Sequence, residues 1–118
     1  MSSDKCQEIL NFWFEESSSK DHWAKNNEYD QKIRDLFLND LEKAIRNEYD
    51  DWQDDAKSSL ALVILLDQFS RNVYREDTRS YSQDTKARLL VTEGVDRQYL
   101  DELNFSERLF YLLPLVHS

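Results

Sequence analysis

Nine residues, Asp67-Gln68-Phe69-Ser70-Arg71-Asn72-Val73-Tyr74-Arg75, hold the densest chemistry of this chain: a carboxylate, two carboxamides and two guanidiniums at helical spacing. At about 100° per residue, Asp67, Gln68, Arg71, Asn72 and Arg75 share one arc of roughly 140° on a helix. Asp67 and Arg71 stand four apart in the favourable acid-before-base order, which predicts an ion pair. Gln68–Asn72 and Arg71–Arg75 repeat that spacing. Two arginines on one face repel unless a carboxylate or an anion lies between them. Asp84, Glu76, or a bound phosphate or carboxylate could serve, and the planar fork of arginine captures either group through paired hydrogen bonds.

Three uses of this cassette compete. In the first, Asp67, Arg71 and Asp84 satisfy one another in a buried network between helices, and breaking one member costs about 3–5 kcal/mol. In the second, Gln68, Arg71, Asn72 and Arg75 line a groove with His117 and Ser118 at its mouth. That groove would make the protein a binding or scaffold module for a small anionic ligand or a peptide carboxylate. Arg71→Ala would then destabilise the fold, whereas Arg75→Ala would mainly lose ligand. In the third, a hydrolase or transferase uses Asp67 or His117 as general acid/base while an arginine holds the developing negative charge. Ser118 beside His117 is no sign of a nucleophile, because adjacent helical residues point about 100° apart.

The elements that must position these groups are helical. One glycine and one proline in 118 residues are too few for an all-β chain, which needs turn residues every eight to twelve positions. Leu60–Leu66 is apolar all round, so a helix from about Asp55 to Asn72 should be the central one. Leu60 and Ile64 fall on the cassette's arc one to two turns earlier, so an apolar face turns polar without turning away. Asp4 to about Ser17 reads as a first helix, carrying Cys6, Ile9, Leu10 and the aromatic block Phe12-Trp13-Phe14 into the core. Ser17–Ser19 breaks the pattern, and Trp23 should plug the gap that follows. Asn27 to about Asn47 forms the next helix. Its apolar stripe is Tyr29, Ile33, Phe37, Leu41, Ala44 and Ile45, widened by Leu36, with Lys32, Asp35, Asp40 and Lys43 on the wet face. The acidic run Glu48–Asp55 reads as a solvated loop. A further helix runs from about Ser82 to Glu93, with Gly94 as its left-handed stop. After a turn at Gln98–Leu103, Asn104 and Glu107 resemble a capping pair, and Pro114 disturbs or ends the last helix. The result is one all-α domain, 1–118, of about five helices in antiparallel hairpins, stacked in a tetratricopeptide-like manner.

Composition narrows the partners. Net charge is −9, with 15 acids against 7 bases in residues 1–56 and 9 against 8 in residues 57–118. No basic stripe exists to neutralise phosphates, so neither nucleic acid nor an anionic membrane is an expected partner. The single Cys6 excludes an intramolecular disulfide, and it reads as a small buried hydrophobe. A polar N-terminus without a signal peptide and apolar runs too short to span a bilayer predict a soluble, cytoplasmic protein. P-loop, Rossmann, HExxH and paired CxxC patterns are absent, and His22 and His117 lie far apart. No cofactor or metal is therefore expected.

Several segments, in order, carry a resemblance: FWFEE (Phe12–Glu16), Trp23, Tyr29-Asp30-x-x-Ile33-x-x-x-Phe37, LALVILLDQFSRNVYR (Leu60–Arg75), Asp84-x-x-Ala87, Gly94-x-Asp96, and Arg108-x-Phe110-x-x-x-Pro114-x-x-His117-Ser118. The chain resembles the family named domain of unknown function 924, and the L-D-Q-F-x-R-N segment is the most specific part. The resemblance implies a helical, tetratricopeptide-like fold with no settled activity. It departs at Tyr29, where the family pattern has Phe, and at Ser70, where it has Pro. Family domains run on for several more helices, so residues 1–118 are expected to be the N-terminal part of a longer domain. Apolar surface left exposed would invite a homo-oligomer.

Overall fold

The computed structural model describes residues 3–117, with side chains described for 4–116. The architecture is all-α, built from six helices joined by short 3-10 turns, and no strand occurs among the described residues. Helix α1 is Ser3–Asn11, prolonged by the π-helical turn Phe12–Glu16. The Ser17 N–H donates five residues back to the Phe12 carbonyl at 3.0 Å, the signature of a widened turn. Phe12 and Trp13 are both buried there, packing edge-on against Phe69 at centroid distances of 6.0 and 5.8 Å.

Ser17–Ser19 does more than break a helix. Ser18 opens a capping box, accepting from the Asp21 N–H (3.1 Å) while Asp21 accepts from the Ser18 N–H (2.9 Å). The short helix α2 (Ser19–Trp23) results, which hydrophobic periodicity alone could not predict. Trp23 does not plug a gap. It is 59% exposed and lies flat against Phe110 at 5.4 Å.

Asn26 caps α3 (Asn27–Ile45) by accepting from the Glu28 and Tyr29 N–H groups. Tyr29, Ile33, Phe37, Leu41 and Ala44 form the buried stripe, and Ile45 is partly buried. Two assignments change. Leu36 is 46% exposed, and Asp40 is buried, accepting from the Tyr49 hydroxyl at 2.6 Å and paired with Lys5 at 3.4 Å. Helical phase explains both: counted from Tyr29, Asp40 falls at about 20°, inside the stripe, and Leu36 at about −20°, on its edge. The acidic run is folded as well. Asp50–Asp54 forms a 3-10 turn whose Trp52 is buried and stacked on Tyr49 at 4.1 Å. Asp55 then caps the following helix through the Ser58 N–H at 2.9 Å.

That helix, α4, is central. It comprises Ala56–Val63, a π-helical turn Ile64–Phe69 and a last turn Ser70–Val73, and it touches α1, α3, α5 and α6. Every residue from 58 to 70 is buried. Each of its large aliphatic side chains contributes about 1.5–3 kcal/mol on transfer from water.

Glu76, in the left-handed conformation (φ 65°), turns the chain into the 3-10 turn Thr78–Tyr81. Helix α5 (Asp84–Asp96) passes through Gly94 without stopping, and the left-handed residue is Gln98 (φ 66°). Gly94 is required for a different reason: a Cβ there would lie 1.8 Å from the Tyr111 hydroxyl. After the 3-10 turn Tyr99–Glu102, the predicted capping pair is present. The Asn104 N–H donates to Glu107 and the Glu107 N–H to Asn104, both at 2.9 Å. They open α6 (Phe105–His117), which continues through Pro114. Its inner face buries Phe110 and Tyr111, and its outer face leaves Phe105 (84%), Leu109 and Val116 (73%) exposed. No described helix is long and apolar enough to cross a membrane.

Candidate functional site

The cassette sits where α4 leaves its π-helical turn. At the end of this widened turn the buried Ser70 hydroxyl donates to the Leu66 carbonyl at 2.7 Å. Asp67 and Gln68 lie within this turn and are buried, whereas Arg71 and Arg75 follow it and reach the surface in part. A single regular helix does not describe the arc.

Two separate clamps hold the arginines. Arg71 Nη1 donates to the Asp67 carboxylate (2.8 Å) and to the Asp67 carbonyl (2.6 Å), and Nη2 reaches Asp84 at 3.2 and 3.3 Å. Gln68 Nε2 donates to the other Asp67 oxygen at 2.8 Å. Arg71 therefore ties α4 to the first turn of α5. Arg75 ties α4 to α3 instead: its Nε and Nη2 fork onto Asp30, the latter at 2.9 Å, while Asn72 Nδ2 donates to Asp30 at 2.8 Å. Glu76, the other candidate counterion, turns away to Lys25 at 2.9 Å.

Asp30 was not among the sequence-predicted site residues, although a signal existed. Its helical phase, about 100° from Tyr29, puts a charge between Phe37 and Leu41 on the apolar stripe. Burial alone would raise its pKa. Hydrogen bonds from Arg75 and Asn72, with the charges of Arg75 and Arg34, outweigh this and hold it below the ordinary carboxylate value. The folded protein thus favours ionised Asp30 more than the unfolded chain does. Its contribution is complete above the unfolded value near 3.8 and is lost as pH falls through the lowered folded value. Urea unfolding below about pH 4 should show stability falling with acid, and Asp30→Asn should flatten that limb. An unchanged limb in the variant would remove Asp30 as its source.

Because Asp30 is buried, Arg75→Ala leaves a carboxylate short of its main partner. The expectation that this variant loses ligand with little effect on the fold is therefore revised: both arginines hold the helices together. Asp67 is fully buried with an oxygen taken by Arg71 and the other by Gln68, which removes it from reach as a general base. The His117 side chain and Ser118 lie outside the described residues.

Facing the cassette is α2, which sequence reasoning did not foresee. His22 Nε2–H donates to the Trp13 carbonyl at 2.7 Å, and its ring stacks on Trp13 at 4.1 Å. Between His22, Trp23 and Ala24 on one side and Gln68, Arg71, Asn72 and Arg75 on the other lies a cleft of about 170 Å³. Among the described residues no group of three or more His, Cys, Asp or Glu side chains could hold a metal ion.

Fold and site together define an all-α protein whose buried central helix is ion-paired to its neighbours beside a small polar cleft. The chain belongs to the family described as bacterial protein of unknown function (DUF924), whose model matches residues 9–118. It is similar in structure to the protein of unknown function ATU0120 from Agrobacterium tumefaciens, with a TM-score of 0.94 and 31% identity. The alignment covers 100% of this chain and 66% of that one, so the chain spans about two thirds of that protein's length. No curated protein matches the chain.

Proposed function

We propose that the protein is a binding module whose cleft between α2 and α4 takes the carboxylate of a small ligand or of a peptide end. The observation that carries this reading is the pair of guanidiniums at the cleft wall, each fixed from behind by a buried carboxylate, Asp67 or Asp30, and each with N–H groups left over. Arg71 uses Nη1 and Nη2 on Asp67 and Asp84, and Arg75 uses Nε and Nη2 on Asp30. Donors fixed in advance lose little entropy when they bind. A volume of about 170 Å³ is below the several hundred Å³ of a drug-sized pocket, which limits the guest to a few heavy atoms. Acid–base catalysis gains no support, because Asp30, Asp67 and Asp84 are all engaged by Arg71, Arg75 or their neighbours.

Titration with sodium acetate, followed by NMR at the backbone amides of residues 68–75 and the arginine Nε–H groups, tests this. Saturable shifts confined to the cassette are expected. Arg75→Lys keeps a cation for Asp30 but removes the planar fork, so it should weaken acetate about fivefold or more while remaining folded. Acetate without saturable shifts, or a folded Arg75→Lys that binds as wild type does, would end the carboxylate reading.

A further inference from the structure

We infer, independently of the carboxylate reading, that the outer face of α6 is an interface for a second copy of this chain, with the two α6 helices packed antiparallel. Helix α6 is apolar on two opposite faces. Phe110, Tyr111 and Pro114 are buried, and they lie between about 140° and 240° around the axis when counted from Phe105. Phe105, Leu109, Leu112 and Val116 share an arc of about 60° on the other side. Phe105 and Val116 are the most exposed large apolar side chains described, Leu109 is 44% exposed and Leu112 is partly buried. A surface helix needs only one apolar stripe, so the second one calls for cover. Its spacing of four, three and four residues is that of a heptad seam, which a facing helix fills.

The seam is complementary to itself. Four, three, four reads the same in both directions, and a two-fold interface requires each contact to recur with the partners exchanged. Antiparallel copies related by an axis between residues 110 and 111 set Phe105 against Val116 of the other copy and Leu109 against Leu112. The largest side chain of the stripe thus meets the smallest. Charge permits the approach even though the chain carries −9. The one acid of α6, Glu107, is turned inward and buried, where Lys57 pairs with it at 2.6 Å. Arg108 flanks the seam, its Nε bound to the Leu100 carbonyl at 2.8 Å. Antiparallel packing holds it about 7.5 Å along the axis from its copy. Thirteen residues make a seam about 20 Å long, and with its flanks the pair buries on the order of 1,000 Å² in total. That is the floor for a specific interface, so the dimer should be weak, with a dissociation constant on the order of 10–100 µM.

Sedimentation equilibrium of the full chain between about 5 and 500 µM should show the average mass rising from that of one chain towards that of two. Phe105→Glu and Val116→Lys change exposed positions and put each charge at the helix end that favours it, so both variants should fold as wild type does. Each should weaken association at least tenfold. Mixing the two should restore it, because antiparallel pairing sets the new carboxylate opposite the new ammonium. Leu36→Glu is the control: Leu36 is 46% exposed, much as Leu109 is, but stands on α3, and this variant should dimerise like wild type. A chain that stays monomeric to about 500 µM would overturn the proposal and leave the face to another partner. Loss of the dimer in Leu36→Glu to the same degree as in Phe105→Glu, or a mixture without rescue, would overturn it too.

Discussion

Asp67→Ala is expected to lower the free energy of unfolding by about 3–5 kcal/mol in urea denaturation. Asp67 is fully buried, and its removal leaves Arg71 Nη1 with only a backbone carbonyl and Gln68 Nε2 without its acceptor. The Arg71 charge would then rely on Asp84, at the longer distances of 3.2 and 3.3 Å. Domains of this size have a total stability of about 5–15 kcal/mol, so the variant would sit near the edge of folding. Asp84→Ala provides the contrast. Asp84 is partly exposed, so its loss should cost about 1 kcal/mol or less. Near-equal costs for the two variants would mean that the buried member does not anchor the α4–α5 contact.

Gly94→Ala is the second large effect, and two principles predict opposite signs. In an exposed helix interior the change would stabilise by about 1 kcal/mol. Here the new methyl would sit 1.8 Å from Tyr111 Oη, 2.8 Å from Tyr111 Cζ and 3.0 Å from Tyr99. Tyr111 has nowhere to retreat: it is fully buried, and its hydroxyl is bonded to Ser59 at 2.8 Å. Overpacking together with the loss of that hydrogen bond outweighs propensity, for a net destabilisation of about 3 kcal/mol. Thermal melting should show a fall of roughly 10–20 °C. Tyr111→Phe in the Gly94→Ala background clears the shortest contact and should recover part of the loss. A Gly94→Ala protein that melts at or above the wild-type temperature would show that the α5–α6 contact has slack.

What could be read in advance depended on how local each cause was. The central helix announced itself through Leu60–Leu66, because a run apolar on every side has no stable place except the interior. The Asp67–Arg71 pair was equally visible, its members being one turn apart. Asp30 was harder, since its partners lie 42 and 45 residues away and only its intrusion into an apolar stripe marked it. Phase arithmetic would also have placed Asp40 inside, where its charge matched the intuition of a wet face. The π-helical turn at Ile64–Phe69 left no mark in a periodicity that assumes a constant rise of angle. Gly94 was misread because glycine near a helix end has two uses, and only the neighbouring Tyr111 selects between them. Helix α2, and with it the wall of the cleft, hung on one serine–aspartate pair.

The three tryptophans occupy three distinct surroundings. Trp13 is sealed against an imidazole, Trp52 is stacked on a tyrosine, and Trp23 stands in water at the mouth of the cleft. Water relaxes around an excited indole, so the emission of exposed Trp23 should lie to the red of that of the two buried rings. The red side of the emission band would then serve as an intrinsic optical gauge of cleft occupancy, with the bluer emission of Trp13 and Trp52 as the internal reference.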